Sequence, residues 1–262
     1  MRHLDVILVF FIAIPILFPV GAVAQDTLWG PLSEQSRIDI ASDADLTSLG
    51  LTGRNKPNGK IFRFRESIPT DLPEFIPTEL DGQTLVIADK VDAGYFCLYK
   101  GPYTMDATNN RFTAMLVSDL NDVHWLVNLN SALSATQHLE IQDVRYSNGL
   151  LYFNEACQSY SRDADGACSS LVCLDPSTMT VLWRTPPLTS NNIILIYRGV
   201  VICGYGFTDE PDYLHLVDAA SGAVLSTTEL DSAHDYLEIK GDSLWVATYG
   251  SLYQFLLPVD LR

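Results

Sequence analysis

One octet pattern occurs four times, as LDGQTLVI (residues 80–87), YSNGLLYF (146–153), IYRGVVIC (196–203) and IKGDSLWV (239–246). In each octet a large apolar residue leads into a polar or glycine-containing turn, and an apolar stretch rich in β-branched and aromatic residues follows. This pattern predicts a β-hairpin. The same hairpin is therefore predicted four times along the chain.

A second repeated segment follows two of these octets, as LVCLDPSTMTVLW (171–183) and LHLVDAASGAVLS (214–226). Asp175 and Asp218 occupy the same place in the two copies, each before turn-forming residues and another strand. A weaker copy, AMLVSDLNDVHWLV (114–127), puts Asp119 and Trp125 in place of Asp175 and Trp183. The repeating unit is therefore four strands long.

The octets begin 66, 50 and 43 residues apart, which fits a four-stranded propeller blade with loops of variable length. A helical period is absent from the repeats, and an isolated blade cannot bury both of its faces. The sequence thus predicts an all-β fold, a small β-propeller of four to five four-stranded antiparallel blades, over residues 80–262.

The last blade is short of one strand, because a single strand (251–257) follows its octet before the chain stops. Residues 61–65, IFRFR, alternate as an edge strand does, and we predict that they pair beside residues 251–257 to close the ring. The same alternation is typical of any exposed edge strand, so both interpretations stay open. Residues 25–79 are predicted to be an N-terminal leader that contains this closing strand.

Residues 1–24 form a predicted signal peptide. Arg2 and His3 precede an apolar run from Val6 to Val20, and the small residues 22–24 supply a cleavage site. The competing interpretation is a membrane anchor, but the run is shorter than the roughly twenty residues of a spanning helix. We therefore expect a secreted or periplasmic protein without a transmembrane segment after cleavage.

The charge of the chain is strongly acidic, with 16 Lys and Arg against 32 Asp and Glu, a net charge of −16. Nucleic acids and anionic membranes require clustered basic residues, and the predicted mature chain has no run of them. The composition argues against these partners and leaves an unknown protein or small ligand, including cations, basic groups and neutral molecules.

The export signal places the five cysteines in a compartment where disulfides persist. Cys157 and Cys168 bracket a polar stretch without a core-forming pattern, so we predict a disulfide between them. Cys97, Cys173 and Cys203 lie in apolar strand-like runs and are predicted to be buried small hydrophobic residues. No Cys or His spacing typical of a zinc site occurs.

Two acidic loops are candidate sites. Asp163 and Asp165 alternate before a glycine, as in the first part of a calcium loop, but Val172 stands where such a loop would have a glutamate. A second loop carries Asp209, Glu210 and Asp212 and is a candidate contact loop, because propellers place binding groups in loops at blade ends. For each loop the alternative is an ordinary solvated turn.

The segment LVCLDPSTMTVLWRT resembles the pyrroloquinoline-quinone-like β-propeller repeats of quinoprotein dehydrogenases and outer-membrane assembly scaffolds. Leu174, Asp175 and Trp183 match that repeat, and the copy around Asp218 and Gly222 matches it without the tryptophan. The resemblance covers about residues 80–262 and implies the fold. Family members that oxidise alcohols or sugars would use a quinone held by calcium, but no residue of such a site can be carried over to this chain.

The sequence favours a non-catalytic binding or scaffolding role, because no nucleophile motif, no paired catalytic carboxylates and no ligand spacing among His124, His138, His215 and His234 occur. The histidines are expected at surface or cross-strand positions, and no cofactor is expected. The alternative is a reduced quinoprotein-like oxidoreductase using pyrroloquinoline quinone and calcium. A truncated product without an independent role is the third possibility.

Overall fold

The computed structural model describes residues 29–40, 42–52, 67–102, 110–134 and 139–261. These residues form four antiparallel sheets, each built almost entirely from consecutive strands. The sheets pack face to face in sequence order through apolar cores, as the blades of a propeller do. The predicted all-β propeller is confirmed, with four blades. The predicted signal peptide lies outside the described residues.

The first two blades have five strands each, one more than predicted. Blade 1 follows the order β2 (Glu79–Leu80), β3 (Gln83–Val91), β4 (Gly94–Lys100), β5 (Phe112–Val117) and β6 (Val123–Asn128). Blade 2 consists of β7 (Leu139–Glu140), β8 (Val144–Ser147), β9 (Leu150–Cys157), β10 (Ser170–Asp175) and β11 (Thr180–Arg184). Both β7 and β8 pair with β9, so together they act as one interrupted first strand.

The last two blades have four strands each. Blade 3 follows the order β12 (Asn191–Tyr197), β13 (Val200–Tyr205), β14 (Tyr213–Asp218) and β15 (Val224–Glu229). Blade 4 consists of β16 (Tyr236–Lys240), β17 (Ser243–Ala247), β18 (Ser251–Leu256) and β1 (Ser33–Asp39). The remaining elements are α1 (Asp43–Ser48) and 3-10 turns at Leu129–Ala132, Ser161–Ala164 and Val259–Leu261.

The strand that completes blade 4 comes from the other end of the chain, but it is not the predicted one. Strand β1 pairs with β18 in antiparallel register, with Ser33 opposite Leu256 and Asp39 opposite Ser251. Strand β17 pairs with the other edge of β18. Residues 61–65, predicted to pair beside residues 251–257, lie outside the described residues. The pairing of residues 61–65 stays a prediction.

Each octet forms a hairpin because its turn residues adopt the backbone conformation that a two-residue turn needs. Asp81–Gly82, Asn148–Gly149 and Arg198–Gly199 have positive φ at both positions, as in a type I′ turn. In the fourth octet Gly241 alone has a positive φ, 62°. Glycine and asparagine tolerate this region at little steric cost, so the repeated glycine determines the position of each hairpin.

The repeated aspartates have structural roles in the blades. Asp175 Oδ1 accepts hydrogen bonds from Ser177, and Asp218 Oδ1 accepts them from Ser221, so each carboxylate caps its turn. In blade 1 the equivalent acceptor is the hydroxyl of Ser118, whereas Asp119 forms an ion pair with Lys90. Ser118 is therefore the residue of blade 1 that corresponds to Asp175, one position before the predicted Asp119.

Trp183 joins the outer strand of blade 2 to the turn of blade 3. Its Nε1 donates to Ala219 O at 3.2 Å, and its ring lies so close to Gly222 that a Cβ there would come within 2.7 Å. Gly222 also has a φ of +75°. The backbone conformation and the close approach of the indole therefore both require glycine at this position.

The core is divided among the blade interfaces. Phe96, Phe112 and Phe153 are buried between blades 1 and 2, and Ile202 and Phe255 are buried between blades 3 and 4. The interface between blades 2 and 3 includes the free cysteines Cys173 and Cys203, while Cys97 is buried in blade 1. The prediction that these three cysteines are buried is confirmed.

The two end faces of the stack are covered by segments outside the repeat. Ile76 packs on Cys97 and Tyr99 of blade 1, and Leu46 and Leu51 pack on blade 4. Within the described ranges no apolar core joins blade 1 to blade 4. In the same ranges no helix is long and apolar enough to cross a membrane.

Candidate functional site

The candidate site lies at the end of the propeller where the first strands of blades 2, 3 and 4 begin. Strand β12 contacts both β8 and β16, so these first strands lie together at the centre. Each second strand runs antiparallel to the first, and its end therefore lies at the same end of the propeller. Loops 158–169, 206–212 and 248–250 follow the second strands. We call this end the loop face.

A polar cluster fills the centre below these loops. The first strand of blade 2 is interrupted at residues 141–143, and the first strand of blade 3 is irregular between Asn191 and Leu195. Such interruptions release backbone groups that must find other partners when buried. Side chains from neighbouring strands supply them, and we call the cluster the polar plug: Gln142, Asp143, Asn154, Asn192 and His234.

Within the plug, Asn154 connects blades 2 and 3. Its Oδ1 accepts from the backbone amides of Gln142 (2.9 Å) and Asp143 (3.2 Å), and its Nδ2 donates to Asn192 O (2.6 Å). Gln142 Oε1 accepts from Asn192 N at 2.6 Å, and Asp143 Oδ2 accepts from Ile194 N at 3.0 Å. Side chains thus replace the missing ladder bonds in both strands.

His234 connects blade 4 to the same plug. Its Nε2 donates to Ile193 O at 2.8 Å, and its carbonyl accepts from Asn192 Nδ2 at 2.8 Å. Gly204 makes this approach possible, because a Cβ at that position would lie 2.8 Å from His234 Nδ1. Through these contacts the plug joins blades 2, 3 and 4.

A buried ion pair in blade 2 lies next in sequence to the plug residue Asn154. The Glu155 side chain, 2% exposed, accepts from Arg184 Nη2 (2.7 Å) and Nε (2.9 Å) in bidentate geometry. Ser134 donates to it through its backbone amide (2.7 Å) and its hydroxyl (2.9 Å). Because both oxygens have charged and neutral donors, this carboxylate is fully satisfied and serves as a structural anchor.

The two acidic loops predicted as separate candidates lie against each other. Ser161, in the loop between Cys157 and Cys168, donates its amide (3.0 Å) and hydroxyl (2.9 Å) to Glu210 Oε1. Tyr205 OH also donates to Glu210. The rings of Tyr160 and Phe207 meet edge to face with centroids 4.8 Å apart. Glu210 therefore joins the disulfide loop to the acidic loop.

The predicted disulfide between Cys157 and Cys168 is confirmed, with the Cα atoms 5.0 Å apart. It packs on Leu139 and Tyr205 in a small apolar cluster beneath the loop face. Cys157 N donates to Ser169 Oγ at 3.1 Å, and Ser169 has a φ of +62°. The bridge therefore fixes a loop whose return to β10 requires a strained backbone at a buried serine.

The candidate metal ligands Asp163 and Asp165 lie on the exposed side of the same loop. Asp163 Oδ2 accepts from Ser159 Oγ at 2.7 Å, and its Oδ1 lies 3.9 Å from Arg162 Nε. Over the part of the chain that the structure describes, no three Asp, Glu, His or Cys side chains are grouped to hold a metal ion. Calcium binding by Asp163 and Asp165 stays a prediction.

The contact residues Asp209, Glu210 and Asp212 differ in exposure. Asp209 is exposed at the tip of its loop, whereas Glu210 and Asp212 are half-buried, and Glu210 faces the disulfide loop. Tyr249, in the loop of blade 4, is 91% exposed. Asp209 and Tyr249 are thus accessible to a partner at this end, while Glu210 acts mainly as a connector.

The sequence did not indicate the plug, because its members are a few polar residues spread over three repeats. Asn154 gave the only local signal, since it is a polar residue inside the apolar strand β9. His234 was expected at the surface or in a cross-strand pair, but it is fully buried. His215 is a cross-strand residue, opposite Cys203 and Thr227.

His215 gives the fold a pH dependence. Burial, and to a smaller degree the nearby His234, lowers the pKa of His215 to about 4. In the unfolded chain the residue takes up a proton near pH 6.5. The unfolded state therefore binds more protons between these two values. The contribution of neutral His215 to the unfolding free energy should be complete above pH 6.5. It should decrease as the pH falls from 6.5 towards 4, by up to about 1.4 kcal/mol per pH unit.

Urea unfolding at several pH values between 7 and 4 measures this slope. The variant His215→Gln keeps a hydrogen-bonding group beside Thr227 Oγ1, which lies 3.0 Å from His215 Nδ1, but it cannot titrate. Its unfolding free energy should fall less steeply over the same range. An identical slope in the two proteins would assign the pH dependence to other groups.

Comparison with known proteins gives structural neighbours only. No protein-family model matches the sequence, and no curated protein matches it. Among solved structures, a chain of the mitotic checkpoint complex is similar at 9% identity and a TM-score of 0.44, covering 66% of this chain and 49% of that chain. This chain therefore spans about half the length of that neighbour.

Two further neighbours are enzymes by name. The glutaminyl cyclase of Myxococcus xanthus has 11% identity and a TM-score of 0.36, with 67% of this chain and 73% of that chain covered. A europium-containing methanol dehydrogenase has 16% identity and a TM-score of 0.33, with 56% and 27% covered. At these identities and TM-scores the similarities assign neither a ligand nor an activity to this chain.

Proposed function

We propose that this protein is an exported propeller with a non-catalytic binding role, and that it contacts a protein or small ligand through its loop face. The observation that carries the proposal is the junction of two loops at Glu210, which receives both hydrogen bonds of Ser161. Two segments that are 49 residues apart in the chain thereby form one surface. Loops on a rigid scaffold are where propellers place recognition groups.

The base of this surface favours binding because it is fixed before any partner arrives. The disulfide holds one loop, Glu210 holds the other to it, and the polar plug joins blades 2 and 3, which carry these loops. A surface that is ordered in advance loses less conformational entropy on association. The disulfide is also compatible with an oxidising compartment, which supports the proposed export.

The chemistry of the loop face favours a partner with positive or hydrogen-bond donating groups. Asp163, Asp165 and Asp209 are exposed there, and the chain as a whole carries a net charge of −16. Calcium, bound by Asp163 and Asp165, is one cation that the proposed surface would bind. No cofactor is part of the proposal. The pyrroloquinoline-quinone-like assignment of the repeats remains an inference from Asp175, Trp183 and Gly222.

The centre of the loop face offers little to a quinone held by calcium. Among the described residues there, Gln142, Asn154, Asn192 and His234 bond to each other and to the backbone. No group of three metal-binding side chains occurs in those ranges. We therefore assign no reaction step to a quinone, and the binding of a quinone is one of the outcomes that the thermal unfolding experiment below tests.

The test compares loop-face variants with matched variants at the opposite end. The double variant Asp163→Asn and Asp209→Asn removes two exposed carboxylates from the loop face. The control, Asp81→Asn and Asp242→Asn, removes two from hairpin turns at the other end. When immobilised, the wild-type and control proteins should both retain the same binding partner from the exported proteins of the producing organism. The loop-face variant should lose it without a change in thermal midpoint.

Equal retention by both variants would contradict the loop face as the contact surface. Thermal unfolding with calcium alone, and with pyrroloquinoline quinone plus calcium, completes the test because a ligand of the native state raises the midpoint. A rise with calcium that disappears in Asp163→Asn would assign the cation to this loop. A rise that needs the quinone would replace the binding role with the oxidoreductase.

A further inference from the structure

We propose that two copies of this chain associate through antiparallel pairing of their β6 strands. Strand β6 is the last strand of blade 1, and no other strand in the described ranges pairs with its outer edge. An unpaired edge presents a row of backbone donors and acceptors that another strand can satisfy. The surface concerned is defined by β6 and the turn before it, and it lies apart from the loops proposed above.

The side chains around this edge are apolar and exposed. Leu120 is 85% exposed, Val123 is 55% exposed and Leu126 is 51% exposed. Trp125 and Val127, on the face of β6 opposite Leu126, pack into the core between blades 1 and 2 and hold the strand in place. The exposed residues thus form an apolar patch on a strand whose backbone is already ordered.

The outer strands of blades 3 and 4 carry exposed charge, whereas the one charged residue in the outer strand of blade 2 is paired with the buried Glu155. Strand β1 contains Glu34, Arg37 and Asp39, β11 ends in Arg184, and β15 ends in Glu229. Strand β6, with the sequence VHWLVN, contains no Asp, Glu, Lys or Arg. Charged residues on an edge strand are a common means of preventing edge-to-edge pairing. Among the described outer strands, β6 is therefore the one that contains no charged residue.

The charge distribution indicates that the partner of the β6 edge is a second copy of this chain. A basic partner would be attracted to the acidic loops. A strand without charged residues, such as β6, pairs best with another strand of the same kind, and each copy of the chain has one. Antiparallel pairing of β6 with itself places the start of one strand opposite the end of the other. In the register that places Leu126 opposite Leu126, His124 lies opposite Asn128 of the second copy and Asp122 lies outside the paired residues, so like charges do not face each other.

Light scattering during size-exclusion chromatography, at up to about 100 µM of the purified protein, measures this association at concentrations that reveal weak complexes. The wild-type protein should approach the mass of a dimer as its concentration rises. Added salt should strengthen the dimer, because it screens the repulsion between two chains of net charge −16. A complex with a basic partner would respond to salt in the opposite direction.

Two lysine substitutions with equal starting exposure provide the decisive comparison. Leu126→Lys should weaken dimerisation by about tenfold or more, because it brings positive charge to both sides of the paired edge. Leu182→Lys changes a residue of β11 that is also 51% exposed, and it should leave the association unchanged. Thermal unfolding of both variants establishes that they remain folded.

A cysteine at the same position tests the geometry directly. Leu126→Cys should form a covalent dimer under mild oxidation, and Leu182→Cys should not. A wild-type protein that stays monomeric over the whole concentration range overturns the proposal. So does a dimer that both lysine variants weaken equally, since that result would place the interface elsewhere.

Discussion

Arg184→Ala is expected to lower the unfolding free energy by about 3–5 kcal/mol, because it deprives a buried carboxylate of its charged partner. The guanidinium donates two hydrogen bonds to Glu155, whose side chain is 2% exposed, and a third at 2.8 Å to Ala132 O. Removing the arginine leaves this carboxylate in the interior with the neutral donors of Ser134. The cost comes from the unpaired buried charge.

Urea unfolding of wild-type and variant proteins gives the difference, and an exposed ion pair supplies the control. Lys90 and Asp119 are paired, with side chains 53% and 62% exposed. Lys90→Ala should cost at most about 1 kcal/mol, because solvent screens such pairs. A loss in Arg184→Ala as small as that in Lys90→Ala would show that Glu155 is not isolated as the structure indicates.

A second variant separates the charge from the lost packing. In the background of Arg184→Ala, the change Glu155→Gln removes the buried negative charge but retains a side chain of similar size. Part of the lost stability should return, because a neutral amide is less costly to bury than a carboxylate. If the double variant is no more stable than Arg184→Ala, the missing packing of the arginine stem explains the effect.

The repeated part of the fold was predictable because its signals are local. The glycine of each octet lies in the turn that the hairpin requires, and the apolar residues of the octets fill the interfaces between blades. Strand β1 was missed because its sequence, SEQSRID, is polar and mostly exposed. Its place depends on pairing with β18, at the opposite end of the chain, which no local pattern encodes.

The candidate site was predictable only in pieces. The disulfide loop and the acidic loop each have a local signature, and both were named, but their contact through Ser161 and Glu210 depends on how blades 2 and 3 pack. Of the polar plug only Asn154 has a local signal, since Gln142, Asn192 and His234 find their partners in other blades. Three-dimensional proximity, rather than composition, makes these residues a site.

Loss of the disulfide should also reduce stability strongly. The double variant Cys157→Ser and Cys168→Ser is expected to lower the unfolding free energy by about 3 kcal/mol, the chain-entropy value for a loop of this length. The two half-cystines are 4% and 2% exposed and pack with Leu139 and Tyr205, so polar serines add a cost of burial. Chemical unfolding with and without reductant measures both contributions.

The reductant distinguishes the bridge from the substitutions. It should lower the stability of the wild-type protein towards that of the double variant and leave the variant unchanged. A wild-type protein indifferent to reductant under unfolding conditions would contradict a role for the bridge in stability. Because Ser161 lies inside the bridged loop and binds Glu210, amide exchange should also accelerate in residues 158–169 of the double variant. The bridge would then connect stability to binding, since the loop that loses protection is half of the proposed contact surface.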